Sequence, residues 1–170
     1  MDFGLEVATA RQAPAILQFL KQAQQESPFF VIKQDLAQIT ADQLGRNLEQ
    51  MAGREDYLML LLINAKHEVG GMVTLAPWPN LAGVLEIGVV VQARYQRQGL
   101  GQALLAEALD WVTNYSPAKH VRLTVQERNQ PAQKLYAKFG FVRVPNSEQL
   151  VLDGQHQQVS AYDMDWEVEA

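Results

Sequence analysis

The chain has 170 residues, 48% of them hydrophobic, and carries a formal net charge of −5. That length supports one well-buried core and is short for two ordinary domains, so a single domain over residues 1–170 is expected. Cysteine is absent, which excludes a disulfide framework, a thiolate metal site and a cysteine nucleophile. The acidic balance argues against nonspecific nucleic-acid binding and mildly favours a cationic ligand over an anionic one.

In chain order, Met1-Asp2-Phe3-Gly4 lacks a basic start and an apolar run, and no stretch approaches the roughly 18 apolar residues of a membrane span, so a soluble, cytoplasmic protein is expected. Residues 3 to 9 read as a short strand. Ala13 to Gln25 reads as a helix with Ile16, Leu17 and Leu20 on one side, and Asp42 to Met51 as a second helix, with the apolar loop Ser27-Pro28-Phe29-Phe30-Val31-Ile32 between them. Tyr57 to Asn64 is a run of Leu and Met that fits helix or strand by period alone; turn signals at Gly53 and Asn64 leave it short and favour a strand. Glu68 to Ala76 returns from it as a hairpin, and Val84 to Val91 makes the next strand. Gly99 to Asn114 is a long helix with Leu104, Leu105, Ala108, Leu109 and Val112 inward. Val121 to Gln126 is a strand, a helix around Tyr136 follows, and two final strands are expected near 141 to 152 and 157 to 167. Helices packed on a mixed sheet, with a strand-helix-strand crossover in the middle, make an α/β fold.

The strand-to-helix passage Val89-Val90-Val91-Gln92-Ala93-Arg94-Tyr95-Gln96-Arg97-Gln98-Gly99-Leu100-Gly101-Gln102 has the make-up of an anion site. Its two glycines admit close approach of a ligand to the backbone, and the first N–H groups of the helix have no intrahelical partners. With the helix dipole behind them, a pyrophosphate suits the place. A P-loop requires Lys-Ser/Thr after the last glycine, where Gln102 and Ala103 stand. A dinucleotide fingerprint requires a third glycine or alanine where Leu104 stands. What remains is Gln96-x-x-Gly99-x-Gly101. Further on, Asn129 reads as an N-cap, Pro131 lies in the first turn and Gly140 ends the helix, with Ala132, Leu135, Tyr136 and Phe139 on one apolar face.

Gln96-x-x-Gly99-x-Gly101 resembles the acetyl-CoA pyrophosphate loop of the GNAT superfamily of N-acetyltransferases, and Asn129-x-x-Ala132-x-x-Leu135-Tyr136-x-Lys138-x-Gly140-Phe141 resembles its second characteristic block. The resemblance extends over about residues 57 to 144. It implies a mixed, mostly antiparallel sheet flanked by helices, acetyl-CoA as acetyl donor, and direct transfer to an amine acceptor in a ternary complex, without nucleic-acid or membrane partners; a homodimer is compatible with it. The implied cofactor contacts are the strand residues Val89, Val90 and Val91, the turn and helix start Gln96, Arg97, Gln98, Gly99, Leu100, Gly101 and Gln102, and Asn129 and Tyr136. Tyr136 is the residue expected to serve the departing thiolate. A noncatalytic acyl-CoA-binding or interaction module is the alternative, and a pure binder has no need of a phenol at position 136.

Acetyl transfer to an amine also requires that the amine lose a proton. A lysine-like amine of pKa ~10.4 is about 4.6 kcal/mol short of its neutral form at pH 7, and an α-amine near 8 only about 1.4. Glu86 is the candidate base, because a carboxylate within Val84-Leu85-Glu86-Ile87-Gly88 needs a reason to be there. Glu127 is the alternative acid, with water alone a third course. Thr124 stands where some relatives that acetylate protein N-termini carry a glutamate. His67, His120 and His156 show no metal-ligand spacing and are assigned no role. Phe29, Phe30, Trp78 and Tyr162 form an apolar group open to two readings, the lining of an acceptor pocket or packing in the core.

Overall fold

The computed structural model describes residues 2–32 and 34–169. Its elements are β1 (Gly4–Val7), α1 (Ala13–Glu26), α2 (Ala41–Met51), β2 (Leu58–Ile63), β3 (Val69–Pro77), β4 (Val84–Val91), α3 (Leu100–Tyr115), β5 (His120–Gln126), α4 (Gln130–Lys138), β6 (Val142–Arg143), β7 (Gln149–Leu152) and β8 (Gln158–Glu167). One sheet runs β1-β2-β3-β4-β5-β8-β6, with β7 also paired to β8. Every pairing is antiparallel except β4 with β5, which the α3 crossover joins in parallel.

The ambiguous Leu/Met run is strand β2. It shows no alternation because both its faces are covered: Leu58 and Leu62 join the core under α3, while Leu61 and Ile63 join the core under α1 and α2. The larger core gathers Leu104, Leu105, Ala108, Leu109 and Val112 of α3 over Val73, Leu75, Leu85, Ile87, Val121 and Leu123. The smaller seats Ile16, Phe19 and Leu48 on Leu61, Val69 and Met72. Thus α1 and α2 cover only the β1–β4 part of their face, and β5 and β8 stay open there.

One expectation is corrected. The strand expected near 141 to 152 is broken into β6 and β7. Pro145 cannot donate to a ladder, Asn146 is left-handed at φ 59°, and the Ser147 hydroxyl takes over by accepting from Asp163 N–H at 2.9 Å. Residues 3 to 9 shorten to the edge strand Gly4–Val7. The remaining elements lie within a residue or two of their expected bounds.

Candidate active site

Strands β4 and β5 pair over only three residues, Val84–Glu86 with His120–Arg122, and then part. β4 continues to Val91 and β5 to Gln126, so a wedge-shaped notch opens toward their C-terminal ends. Gln92 N–H donates to Gly70 O, and Val84 O accepts from Trp78 N–H, so the even-numbered residues of β4 turn their backbone toward β3. By alternation the backbone groups of Val89 and Val91 face the notch. One of them has a substitute partner: Gln96 Nε2 donates to Val91 O at 3.0 Å. On the other wall, His120 N–H donates to Gly83 O, which sets the even residues of β5, Thr124 and Gln126 among them, facing the notch. Val89, Val90 and Val91 are half-buried. Val89 and Val91 pack toward α3 and Val90 toward α1, as alternation requires.

Past β4 the chain is anchored by Tyr95, whose buried ring meets Phe3 edge-on at 4.8 Å. The turn that follows carries two left-handed residues, Arg97 at φ 66° and Gly99 at φ 77°. For arginine that conformation costs on the order of 1 kcal/mol. Gly99 then serves as the N-cap of α3 without any side-chain cap, and no acid occupies the first turn. The first N–H of the helix with a backbone acceptor among the described residues is that of Ala103, bonded to Gly99 O. Those of Leu100, Gly101 and Gln102 are left for a ligand, with the positive end of a 16-residue helix behind them. A Cβ on Gly101 would lie 3.8 Å from Leu135 and Val91 and 4.0 Å from Val89, so this glycine borders the notch floor and α4 together. Lys138 reaches across from α4 to Gln102 at 3.0 Å and adds positive charge. Gln96, Arg97, Gln98 and Gly99 are exposed, as a contact surface must be.

Asn129 caps α4 by accepting from Ala132 N–H at 3.4 Å. Two turns on, the Tyr136 ring lies in the core beside Phe141, with centroids 5.5 Å apart, while its hydroxyl makes no hydrogen bond among the described residues. Burial pushes the phenol up to about 12. The phenol is therefore neutral at pH 7 and available as a hydrogen-bond donor. Gln133, which the sequence did not flag, fixes the helix. Its amide donates to Gln126 O at 3.1 Å and Glu127 O at 2.7 Å, and accepts from the Tyr162 hydroxyl at 2.7 Å. Tyr162 is thereby a core residue beneath α4 rather than part of an acceptor pocket.

Glu86 stands at the apex of the notch, opposite Arg122 in the last β4–β5 pair. Its side chain lies on the face away from α3, is half-buried, and has no ion pair or hydrogen bond among the described residues. Its charged neighbours are engaged elsewhere. Asp165 accepts from Arg122 Nε at 3.1 Å and lies 2.8 Å from His120 Nδ1, and Asp163 accepts from Thr124 at 2.7 Å and Gln149 at 3.1 Å. Trp78 belongs to this face, with the Arg122 guanidinium 5.8 Å from its ring centre. Glu127, by contrast, is exposed and paired with Arg143 at 3.3 Å. His67 and His156 occupy left-handed turn positions, at φ 63° each. Among the described residues no group of three or more His, Asp or Glu could hold a metal ion, and no helix is long and apolar enough to cross a membrane.

The features on this side of the sheet are a half-open pair of parallel strands, an uncapped helix start after a left-handed turn, and a buried phenol whose hydroxyl has no partner among the described residues. Residues 17–141 match the model of the acetyltransferase (GNAT) family, and the chain belongs to that family. Among curated relatives, it is 33% identical over 63 residues to the L-amino acid N-acetyltransferase AaaT of Escherichia coli, a match covering 37% of this chain and 39% of that protein. Its fold is that of a GNAT-family acetyltransferase from Streptococcus pneumoniae, with TM-score 0.86 and 24% identity, covering 98% of this chain and 100% of the other. The yncA protein of Salmonella typhimurium, solved with its cofactor acetyl-CoA, superposes with TM-score 0.80 at 16% identity, over 100% of this chain and 96% of that one.

Proposed function

We propose that the protein transfers an acetyl group from acetyl-CoA to a primary amine, by direct transfer in a ternary complex. The single observation that carries this reading is the notch: β4 and β5 separate after Glu86 and Arg122, leaving strand backbone open between the helix start at Gly99 and the phenol of Tyr136. Acetyl-CoA supplies an acyl thioester on a long polar arm ending in a pyrophosphate. The fit is good at both ends, since the pantetheine amides need strand-like partners and the phosphates need N–H groups and positive charge.

In this reading the backbone of Val89 and Val91 binds the arm, and Val90 supports the strand from the other side. The turn Gln96, Arg97, Gln98 and Gly99, with the N–H groups of Leu100, Gly101 and Gln102, holds the pyrophosphate. Asn129 sets the start of α4 beside the cofactor, and Tyr136 donates a hydrogen bond to the sulfur as negative charge develops there. A bond that strengthens only along the reaction raises turnover rather than ground-state affinity. Glu86 takes the amine proton from the side away from α3, directly or through water, and its freedom from ion pairs favours it over Glu127. The noncatalytic alternative leaves the free hydroxyl of Tyr136 without a purpose.

The whole of residues 1–170 acts as one acetyltransferase domain in this proposal. A cytoplasmic location agrees with the lack of cysteine, and homodimer formation is decided by light scattering. The test of function is release of free CoA from acetyl-CoA against a panel of amino acids, small amines and peptides with free N-termini. Amine-dependent release is expected. Tight acetyl-CoA binding with no release from any amine would favour the noncatalytic module.

A further inference from the structure

The segment after α1 crosses the mouth of the notch. It is fixed first on the β4 side, where Ala93 N–H donates to Glu26 Oε2 at 2.9 Å. A carboxylate at a helix C-terminus opposes the dipole, so this contact gives Glu26 its reason to be there. On the β5 side, Pro28 O accepts from Gln126 Nε2 at 3.2 Å and from Gly154 N–H at 2.8 Å. The approach to the β7–β8 turn is so close that a Cβ on Gly154 would stand 2.9 Å from Phe30 O. An ion pair adjoins these bonds. Arg128 Nη2 donates to Asp153 at 2.6 Å, and its Nε donates to Gln126 Oε1 at 3.0 Å. The Asp153 side chain is fully buried and also accepts from Gln155 and Gln157 N–H at 2.8 and 2.9 Å. The Arg128 guanidinium lies 5.5 Å from the centre of the exposed Phe29 ring.

We propose that Arg128 is a positioning residue for the amine acceptor: by joining Asp153 to Gln126 it latches the 27–30 segment across the notch, opposite α3, as the wall against which the acceptor binds. The proposal rests on the acetyl-transfer reading. Its logic is the direction of the contacts. Arg128 touches none of the groups assigned to the cofactor, yet it ties together three stretches of chain, around 28, 126 and 153, that meet only at the acceptor side of the mouth. Asp153 keeps its two backbone donors when the guanidinium is removed, so the β7–β8 turn survives while the latch opens.

The test compares Arg128→Ala and Arg128→Lys with the wild type in acceptor KM, kcat, acetyl-CoA affinity and amide exchange. Arg128→Ala is expected to raise acceptor KM at least about tenfold, with kcat within about threefold and acetyl-CoA affinity within about twofold. Exchange at Gly154 N–H, the bond to Pro28, should speed up while that at Ala93, the bond to Glu26, stays slow. Arg128→Lys keeps a charge for Asp153 but loses the Nε–H bond to Gln126, so its KM should fall between the two. Unchanged acceptor KM, unchanged Gly154 exchange, or equal losses in KM, kcat and cofactor affinity would each overturn the proposal. A wild type without amine-dependent turnover counts against acetyl transfer, and Gly154 exchange then still judges the latch itself.

Discussion

The β4–α3 side of the notch offers mainly backbone, whereas the side formed by the 27–30 segment, β5 and the β7–β8 turn offers side chains drawn from distant parts of the chain. Backbone recognition asks for hand and small size: a left-handed Arg97 and Gly99, a Gly101 without a side chain, an uncapped helix start. The acceptor side asks for particular partners, Arg128 with Asp153, Gln126 with Pro28, Thr124 with Asp163. A backbone site can hold the same cofactor through many changes of sequence. A side-chain site changes its ligand with a few substitutions.

The largest effect is expected at Tyr136, where a side chain intrudes on the backbone half. Tyr136→Phe keeps the ring against Phe141 and removes only the free hydroxyl, so kcat should fall about 10- to 1,000-fold, or about 1.4 to 4 kcal/mol, with acetyl-CoA affinity and Tm nearly unchanged. Steady-state kinetics on an established amine checks this, and wild-type turnover would make Tyr136 a core residue only. Next comes Gly101→Val. Its first carbon fits in ordinary contact with Leu135, Val91 and Val89, and its methyl groups enter the notch, so the acetyl-CoA Kd should rise at least about tenfold, about 1.4 kcal/mol, in a folded protein. Calorimetry reads that directly.

A smaller effect, on the acceptor half, is expected from Glu86→Gln: about a tenfold loss of turnover near pH 7 that fades as pH rises toward the amine pKa, where the acceptor is already neutral. A loss uniform across pH would assign Glu86 to positioning. The smallest effects are on stability, and they put the two halves at opposite ends of the pH scale. Tyr136 has a raised folded-state pKa of about 12. Its contribution is therefore complete below the unfolded value of about 10 and is lost between about 10 and 12, so Tyr136→Phe should flatten the alkaline limb of a denaturation series. Asp153 is held below the usual carboxylate range, by the Gln157 N–H first and by the Gln155 N–H and Arg128 with it. Its contribution is complete above the unfolded value of about 3.9 and is lost as pH falls through the lower folded value, so Asp153→Asn should lose the acid limb alone.

The same division explains what could be read in advance. Gln96-x-x-Gly99-x-Gly101 and the Asn129–Phe141 block are local, because a strand-turn-helix and a capped helix state their geometry within about ten residues. The elements follow from periodicity for the same reason, and only the strand expected near 141 to 152 failed, where Ser147 replaces a ladder partner in a way no period records. The left-handed Arg97 went unseen because arginine gives no sign of that conformation. Gln133 and Arg128 went unseen because their partners lie 29 and 25 residues away, and a polar residue in a sequence does not announce which distant strand it will face. Which of its two readings Tyr162 takes, core or acceptor side, depends on the register that turns it under α4.

The central claim, that open backbone between β4 and β5 and at the start of α3 is what binds acetyl-CoA, is tested most directly by following backbone amide resonances during an acetyl-CoA titration. The account predicts the largest shifts at the amides of Val89, Val91, Gly99, Leu100, Gly101 and Gln102, with those of α2 and the β1 edge unmoved. Saturable binding that leaves these six amides in place, or that shifts instead the residues lining the hollow between the β1 edge and α3, such as Met51, Tyr57 and Tyr115, would contradict it.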